Sequence, residues 1–384
     1  MTPPKLDKVL FLGTGGGNDI FSTLLAAMSL KRLGWTWSEA AIAGVLSPFH
    51  QHTGIKVDPD ILEITPQSAR HLLGGPNAGQ EIGFVDAVMA SWAAQSNNLN
   101  ITKVLGFSLL HGSGGLTAAL RGLSKQYGYV VLVDLGGDIF YRSWRDRHVL
   151  SPMFDAVVLK AFQDSGIDGV LFEAGPGTDG ELEPEALTDV LRELDAQRYP
   201  LDSEVLQCWG SLYEGSVKPI RPGRTVPMLL KAVASDRLYL EEQYRCRAHL
   251  GDFRLYHEFT QRISTLLCQN FYLLDPHKCE NSFAVRCTGP LDWFVQTQLK
   301  CPTNNEANLE YLWHQGQVWQ FATPSPLFNQ QLRYDLLVRC LCGWQAGECE
   351  GLWLLPTDMD LLRKAGHGFA DEAEPYDGLV QLRK

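Results

Sequence analysis

The apolar positions in the first half of the chain fall in short unbroken runs, each closed by glycine or a charge. Val9-Leu10-Phe11-Leu12 is such a run, and Gly13 closes it. A run of that length without polar alternation reads as a strand covered on both faces. From residue 20 to 33 the spacing becomes helical, with Phe21, Leu24, Leu25, Met28 and Leu33 apolar and Gly34 at the stop. Strands follow at 41–46, 104–110, 129–133 and 169–173, and helices at 116–127, 153–162 and 184–197. Strands alternating with helices of this length predict βαβ units. The fold class is therefore α/β: a Rossmann-like, mainly parallel sheet with helices on both faces.

The pattern is less regular beyond residue 225. Pro227 reads as the first turn of a helix, residues 250–274 contain a helical stretch with aromatic interruptions, and 318–321 and 351–355 read as strands. The acidic tail from Glu372 reads as a mobile end. Two parts are expected: a Rossmann-like ligand-binding domain over 1–240 and a smaller C-terminal α+β extension over 241–384.

Composition narrows the function classes. The 384 residues are 45% hydrophobic and 20% charged, enough for a large core and unlike a disordered or collagen-like chain. The net charge of −11 argues against binding nucleic acid through bulk charge. No apolar run reaches the roughly 18–20 residues that span a bilayer, and the first eight residues carry no signal-peptide core. A cytoplasmic protein with no membrane partner is expected. All nine cysteines lie at or beyond Cys208 without a Cys-x-x-Cys pair, as expected of reduced, incidental thiols.

The glycines carry the functional signal. Strand one ends in Gly13-Thr14-Gly15-Gly16-Gly17-Asn18-Asp19, strand three in His111-Gly112-Ser113-Gly114-Gly115, strand four in Asp134-Leu135-Gly136-Gly137-Asp138, and strand five in a turn from Ala174 to Glu181. The carboxyl ends of parallel strands share one edge, and ligands bind in the crevice outside it. Glycine lets the backbone approach a ligand, and helix N-termini present N–H groups to anions. A dinucleotide fingerprint fails because Asn18 stands where glycine is needed, and strand two ends in Leu46-Ser47-Pro48 with no acid; a P-loop fails for want of Gly-Lys-Ser/Thr.

The loop carboxylates are Asp19, Asp134, Asp138, Glu173, Asp179 and Glu181. They suit a cation bridging to an anionic substrate, acid–base work, or plain capping of helix ends. Asp134, Asp138 and His111 are the catalytic candidates, and His111 equally suits a hydrogen-bonded core position. Ligand contacts are assigned to Gly15, Gly16, Gly17, Asn18, Asp19, Gly112, Ser113, Gly114, Gly136, Gly137 and Asp179. Asp138 and Asp134 are the metal candidates, with magnesium the ion considered. His50 and His52 form a His-x-His pair without a third ligand. Arg142, Arg145 and Arg147 suit either an anion or a solvated face, and Trp313, Trp319 and Trp344 suit a core.

Four segments together resemble a prokaryotic family known as domain of unknown function 1152. They are Gly13 to Asp19, Val133-Asp134-Leu135-Gly136-Gly137-Asp138, Ser151-Pro152-Met153-Phe154-Asp155, and Gly175 to Leu182. The resemblance spans about residues 8–235, departs at Leu135 and Met153, where Val and Leu are usual, and is poor over 47–65. It implies a Rossmann-like domain and a site containing Asp19, Asp134, Asp138, Asp155 and Asp179, without a reaction. The first loop is also similar, over a few residues, to the Gly-Gly-Asn-Glu segment of D-glutamate cyclases. The expectation is an enzyme acting on a small anionic metabolite: a nucleotide, or a phosphorylated or carboxylated compound. The alternatives are a metal-independent lyase or cyclase acting on an amino acid, and a ligand-binding sensor without turnover. Oligomeric state is left open, a homo-oligomer included.

Overall fold

A computed structural model describes residues 4–16, 19–46, 50–52, 54–66, 71–73, 81–82, 85–95, 98–108, 112–142, 153–180, 182–219, 225–250 and 253–281, with short strands at 312–313, 352–354, 371–372 and 380–383. The strands that matter are β1 (Lys5–Gly16), β2 (Thr36–Leu46), β3 (Ile55–Asp58), β4 (Ile61–Glu63), β5 (Ile101–Ser108), β6 (Tyr129–Leu135), β7 (Gly169–Ala174), β8 (Gln197–Pro200), β9 (Tyr239–Leu250), β10 (Phe253–Ser264) and β11 (Asn270–Leu274). The helices are α1 (Asp19–Arg32), α2 (Val85–Gln95), α3 (Gly112–Leu123), α4 (Met153–Ser165), α5 (Pro184–Glu193), α6 (Ser203–Leu212), α7 (Thr225–Val233) and the single turn α8 (Thr265–Cys268).

Nine strands form one sheet in the order β8-β11-β7-β6-β1-β2-β5-β4-β3. The five central strands, β7 to β5, run parallel. Antiparallel pairing extends both edges. The sheet is thus mixed rather than mainly parallel throughout. The physical reason is local: β3 and β4 are joined by a tight turn, and so short a connection permits only antiparallel pairing.

Alternation along β1 divides the core in two. Leu10 and Leu12 pack with α3, α4 and α5 on one face. Val9 and Phe11 pack with α1, α2, α6 and α7 on the other. Helices therefore cover both faces. The contact that fixes the start of α1 comes from α6. Trp209 stacks on Phe21 with ring centroids 4.8 Å apart, and its Nε1–H donates to the Phe21 carbonyl at 3.2 Å. Both side chains are fully buried.

Two expectations change. Within residues 250–274 the helical stretch shrinks to the single turn α8, set between the strands β10 and β11. Phe253, Tyr256 and Phe259 mimic helical spacing, whereas Phe253, Leu255, Phe259 and Ile263 follow the period of two that wins when β10 pairs along its whole length with β9. β11, from the stretch assigned to the C-terminal extension, lies inside the main sheet between β7 and β8. The tail, expected to be mobile, contains Val380–Arg383, which pairs with Leu352–Leu354 and with Asp371–Glu372. Pro227 does lie in the first turn of α7. Residues 318–321 lie outside the described residues. Among the described residues no helix is long and apolar enough to cross a membrane.

Replacing Trp209 by Ala should cost about 3–5 kcal/mol in urea unfolding, as expected for a fully buried Trp. A loss under about 1 kcal/mol would show that Trp209 does not hold α1.

Candidate functional site

The five parallel strands appear in chain order as β1, β2, β5, β6 and β7, but in space β1 stands between β2 and β6. The chain leaves β1 toward one side of the sheet and leaves β6 toward the other. Connections diverge at such a reversal and open a crevice beyond the strand ends. Two candidate loops flank this crevice. β1 runs into Gly15 and Gly16, and α1 begins at Asp19; β6 ends in Asp134-Leu135 and turns through Gly136-Gly137.

Four acidic side chains converge here. Asp19 lies in the first turn of α1 and Asp155 in the first turn of α4. Asp134 and Glu173 are register partners on β6 and β7. Carboxylate oxygens of Asp19, Asp134 and Asp155, one from each, all lie within 4.8 Å of one another. Asp134 and Asp155 are 1% exposed and Glu173 is 0% exposed. Among the described residues no donor completes a hydrogen bond to either oxygen of Asp134 or Glu173, or to Oδ1 of Asp155. The N–H groups of Leu135, Gly137 and Ile139 are near enough to favour the Asp134 carboxylate electrostatically, without closing well-formed bonds.

The protonation pattern follows from this burial. Burial, then the charge of Asp134, pushes Glu173 well above the usual carboxylate range. Burial and the same charge push Asp155 well above its range, against a lowering effect from the Thr14 hydroxyl. Asp134 is also raised by burial, but the Glu173 carboxyl and the backbone N–H groups act the other way. Of the two neighbours, Glu173 is the one held further toward its neutral form. No Lys or Arg is among the principal influences on the three groups. Ionised oxygens this close repel by about 3–4 kcal/mol per pair at an effective dielectric near 20.

Glycine is needed where these acids close over the backbone. A Cβ at Gly15 would overlap Oδ2 of Asp19 and stand 3.2 Å from Oδ2 of Asp155. Gly136 has φ +129°, and a Cβ there would come within 2.6 Å of Oδ2 of Asp179. Asp179 is half-buried, and its charge adds to the raised values of Asp155 and Glu173. The Gly177 N–H donates to the Gly136 carbonyl at 2.5 Å, tying the loop after β7 to the loop after β6.

The remaining candidates are placed as follows. Asp138 is half-buried at the start of a 3-10 turn, Asp138–Phe140, outside the Asp19–Asp134–Asp155 trio. Gly112 opens α3, Ser113 is buried, and Gly114 is exposed with open space where a Cβ would stand. Gly16 ends β1. Gly17, Asn18, His111, Glu181, Arg145, Arg147, Trp319 and Trp344 lie outside the described residues. Arg142 forms an ion pair with Glu193 of α5. His50 and His52 belong to a short strand paired with His71–Leu73, and Trp313 to a two-residue strand. Cys268 is buried, and burial followed by Asp179 pushes its thiol up to about 12, which suits an inert core thiol.

Pattern reading alone gave no role to Thr14 or Asp155 and no particular one to Glu173. The usable signal for Glu173 was an acid at the end of an apolar run, beside a strand that also ends in an acid.

A carboxyl group whose folded pKa is raised gives up stability as pH climbs from its unfolded value through its folded value. Glu173→Gln is nearly isosteric and removes the titrating group, and with it that loss. The variant should match the parent near pH 4.5 and exceed it by about 1–3 kcal/mol at pH 8 in denaturant unfolding, the scale of an unsatisfied buried group. Equal stabilities across this window would contradict the raised Glu173.

No curated protein matches the chain. Among solved structures, a secreted C11 cysteine protease from Bacteroides thetaiotaomicron is similar at 9% identity over 56% of this chain, with a TM-score of 0.19, too slight a likeness to carry an argument. The chain spans 65% of that structure, just under two thirds. Residues 76–206, which hold Asp134, Asp138, Asp155, Glu173 and Asp179, match the model of the family described as protein of unknown function (DUF1152), the family that the chain's own motifs resemble.

Proposed function

We propose that this chain is an enzyme acting on a small anionic metabolite, a nucleotide or a phosphorylated or carboxylated compound, in the crevice beyond β1 and β6. The observation that carries this reading is a pair of carboxylates, Asp134 and Asp155, 1% exposed and with oxygens that no donor among the described residues satisfies, at the point where strand order reverses. Buried, perturbed carboxylates in a crevice are candidates for acid–base or ligand chemistry. The parallel strands, taken by their order in the chain, run third, second, first, fourth, fifth across the sheet, with helices on both faces, and this supports a Rossmann-like reading.

Backbone amides of Gly15 to Asn18, and of Gly112 to Gly114 at the start of α3, bind the anion. Asp134 and Asp138 hold or move a proton beside it, Asp179 closes the loop side, and His111 assists. The raised Glu173 and Asp155 favour one second reading: a metal-independent lyase or cyclase on an amino acid, in which a neutral carboxyl donates and a neighbouring carboxylate accepts. Cys208, Cys268 and Cys279 are free thiols, which suits a cytoplasmic location.

A thermal-shift screen over nucleotides, dinucleotides, sugar phosphates and amino acids tests the proposal. A true ligand at about 100 times its dissociation constant adds about 2.7 kcal/mol. The expected result is a phosphorylated or carboxylated hit that is turned over, with turnover but not binding lost in Asp138→Asn. A hit that is bound equally or better by Asp138→Asn and never turned over would replace the enzyme with a sensor. An amino-acid hit turned over in chelator would select the lyase.

A further inference from the structure

We infer that Asp19, Asp134 and Asp155 together bind one hard divalent cation, magnesium or manganese, which bridges the protein to the anion. This rests on reading the crevice as the ligand site, and it adds the element which that reading lacks. An anion cannot settle beside several carboxylates unless positive charge stands between them. Among the principal influences on Asp134 and Asp155 there is no Lys or Arg to supply it.

Geometry singles out the trio. Three carboxylate oxygens from three different elements lie within 4.8 Å of one another. Oxygens bound to one hard cation at 2.0–2.6 Å stand no further apart than about twice that distance. Two further observations point to a ligand. Asp134 and Asp155 are 1% exposed, yet both oxygens of Asp134 and Oδ1 of Asp155 have no donor among the described residues. Gly15 leaves room for the Asp19 and Asp155 carboxylates to meet over its Cα, where any Cβ would overlap Asp19.

Glu173 stands directly behind Asp134 on the adjacent strand, 0% exposed. Ligating carboxylates are themselves commonly held by an outer hydrogen-bond partner. An all-oxygen set of carboxylates selects a hard ion over zinc or copper. With three protein ligands among the described residues, water and substrate oxygens can complete the shell, as magnesium prefers.

The test uses the full-length protein, stripped with chelator, and manganese alone. Free manganese is followed by its electron paramagnetic resonance signal, and magnesium is then added as competitor. One manganese per chain is expected, displaced by magnesium. Asp155→Asn and Asp19→Asn should each weaken binding at least about tenfold, while Asp138→Asn should change it less than about twofold. Melting in chelator checks folding. Asn is nearly isosteric with the carboxyl at 155, so that variant should melt no lower than the parent in chelator. Asp19, half-buried on α1, provides the second test if Asp155→Asn misfolds. Absence of a strong manganese site, or wild-type affinity in both trio variants, overturns the inference. Loss in Asp138→Asn with retention in Asp155→Asn moves the ion to the Asp134–Asp138 pair and overturns the trio. Because no metabolite is present, the two readings fail separately. Manganese bound without any anionic hit sinks the enzyme proposal, and an anion bound equally well in chelator sinks the cation.

Discussion

Asp134, Asp155 and Glu173 bring three carboxyl groups, each at most 1% exposed, into one cluster, and no basic residue is among the principal influences on them. Full ionisation of such a group is prohibitively costly, so the cluster must share protons or take up a cation. Every nearby feature of the fold accommodates that constraint. Gly15 withholds a side chain, Gly136 turns with positive φ beneath Asp179, and Thr14 places a hydroxyl beside Asp155. A structure designed only for stability would fill this space with apolar side chains. Retaining three acids here points to work done at the site.

The sheet brings these acids together although they are far apart in the chain. Asp134 and Glu173 meet because β6 and β7 are register partners, and Asp19 joins them because β1 lies beside β6 although β2 and β5 come between them in sequence. Asp155 reaches the cluster from α4, which packs on the face opposite α1. The crevice is thus approached from both faces of the sheet, one acid arriving at the start of a helix on each. α1 in turn is held by the Trp209–Phe21 stack, so the position of Asp19 depends on a core contact made by a helix almost two hundred residues later.

The parallel centre was legible in the sequence because doubly buried strands such as Val9-Leu10-Phe11-Leu12 leave an unbroken apolar run, and because glycine marks their carboxyl ends. The strand edge that carries the acids was legible for the same reason. The antiparallel edges were not. β3 and β4 are too short to show a period. In the separate β9–β10 hairpin, β10 hides its period of two behind aromatic residues three apart. Within the site, Asp134 and Asp19 stood out by lying next to glycine. Asp155 follows Met153 and Phe154 in what reads as an ordinary helix start, and only the family resemblance singled it out. Glu173 looked like one loop acid among several. Its pairing with Asp134 depends on strand register, which no local pattern encodes.

The most direct measurement of the account is an anomalous-scattering map from crystals of the full chain grown in manganese and collected at the manganese edge. The account predicts a single strong peak between Asp19, Asp134 and Asp155, about 2.0–2.6 Å from an oxygen of each, with Glu173 behind Asp134 and outside bonding range of the ion. A map with no peak in the crevice, or with its peak at Asp138 and away from Asp155, would contradict it.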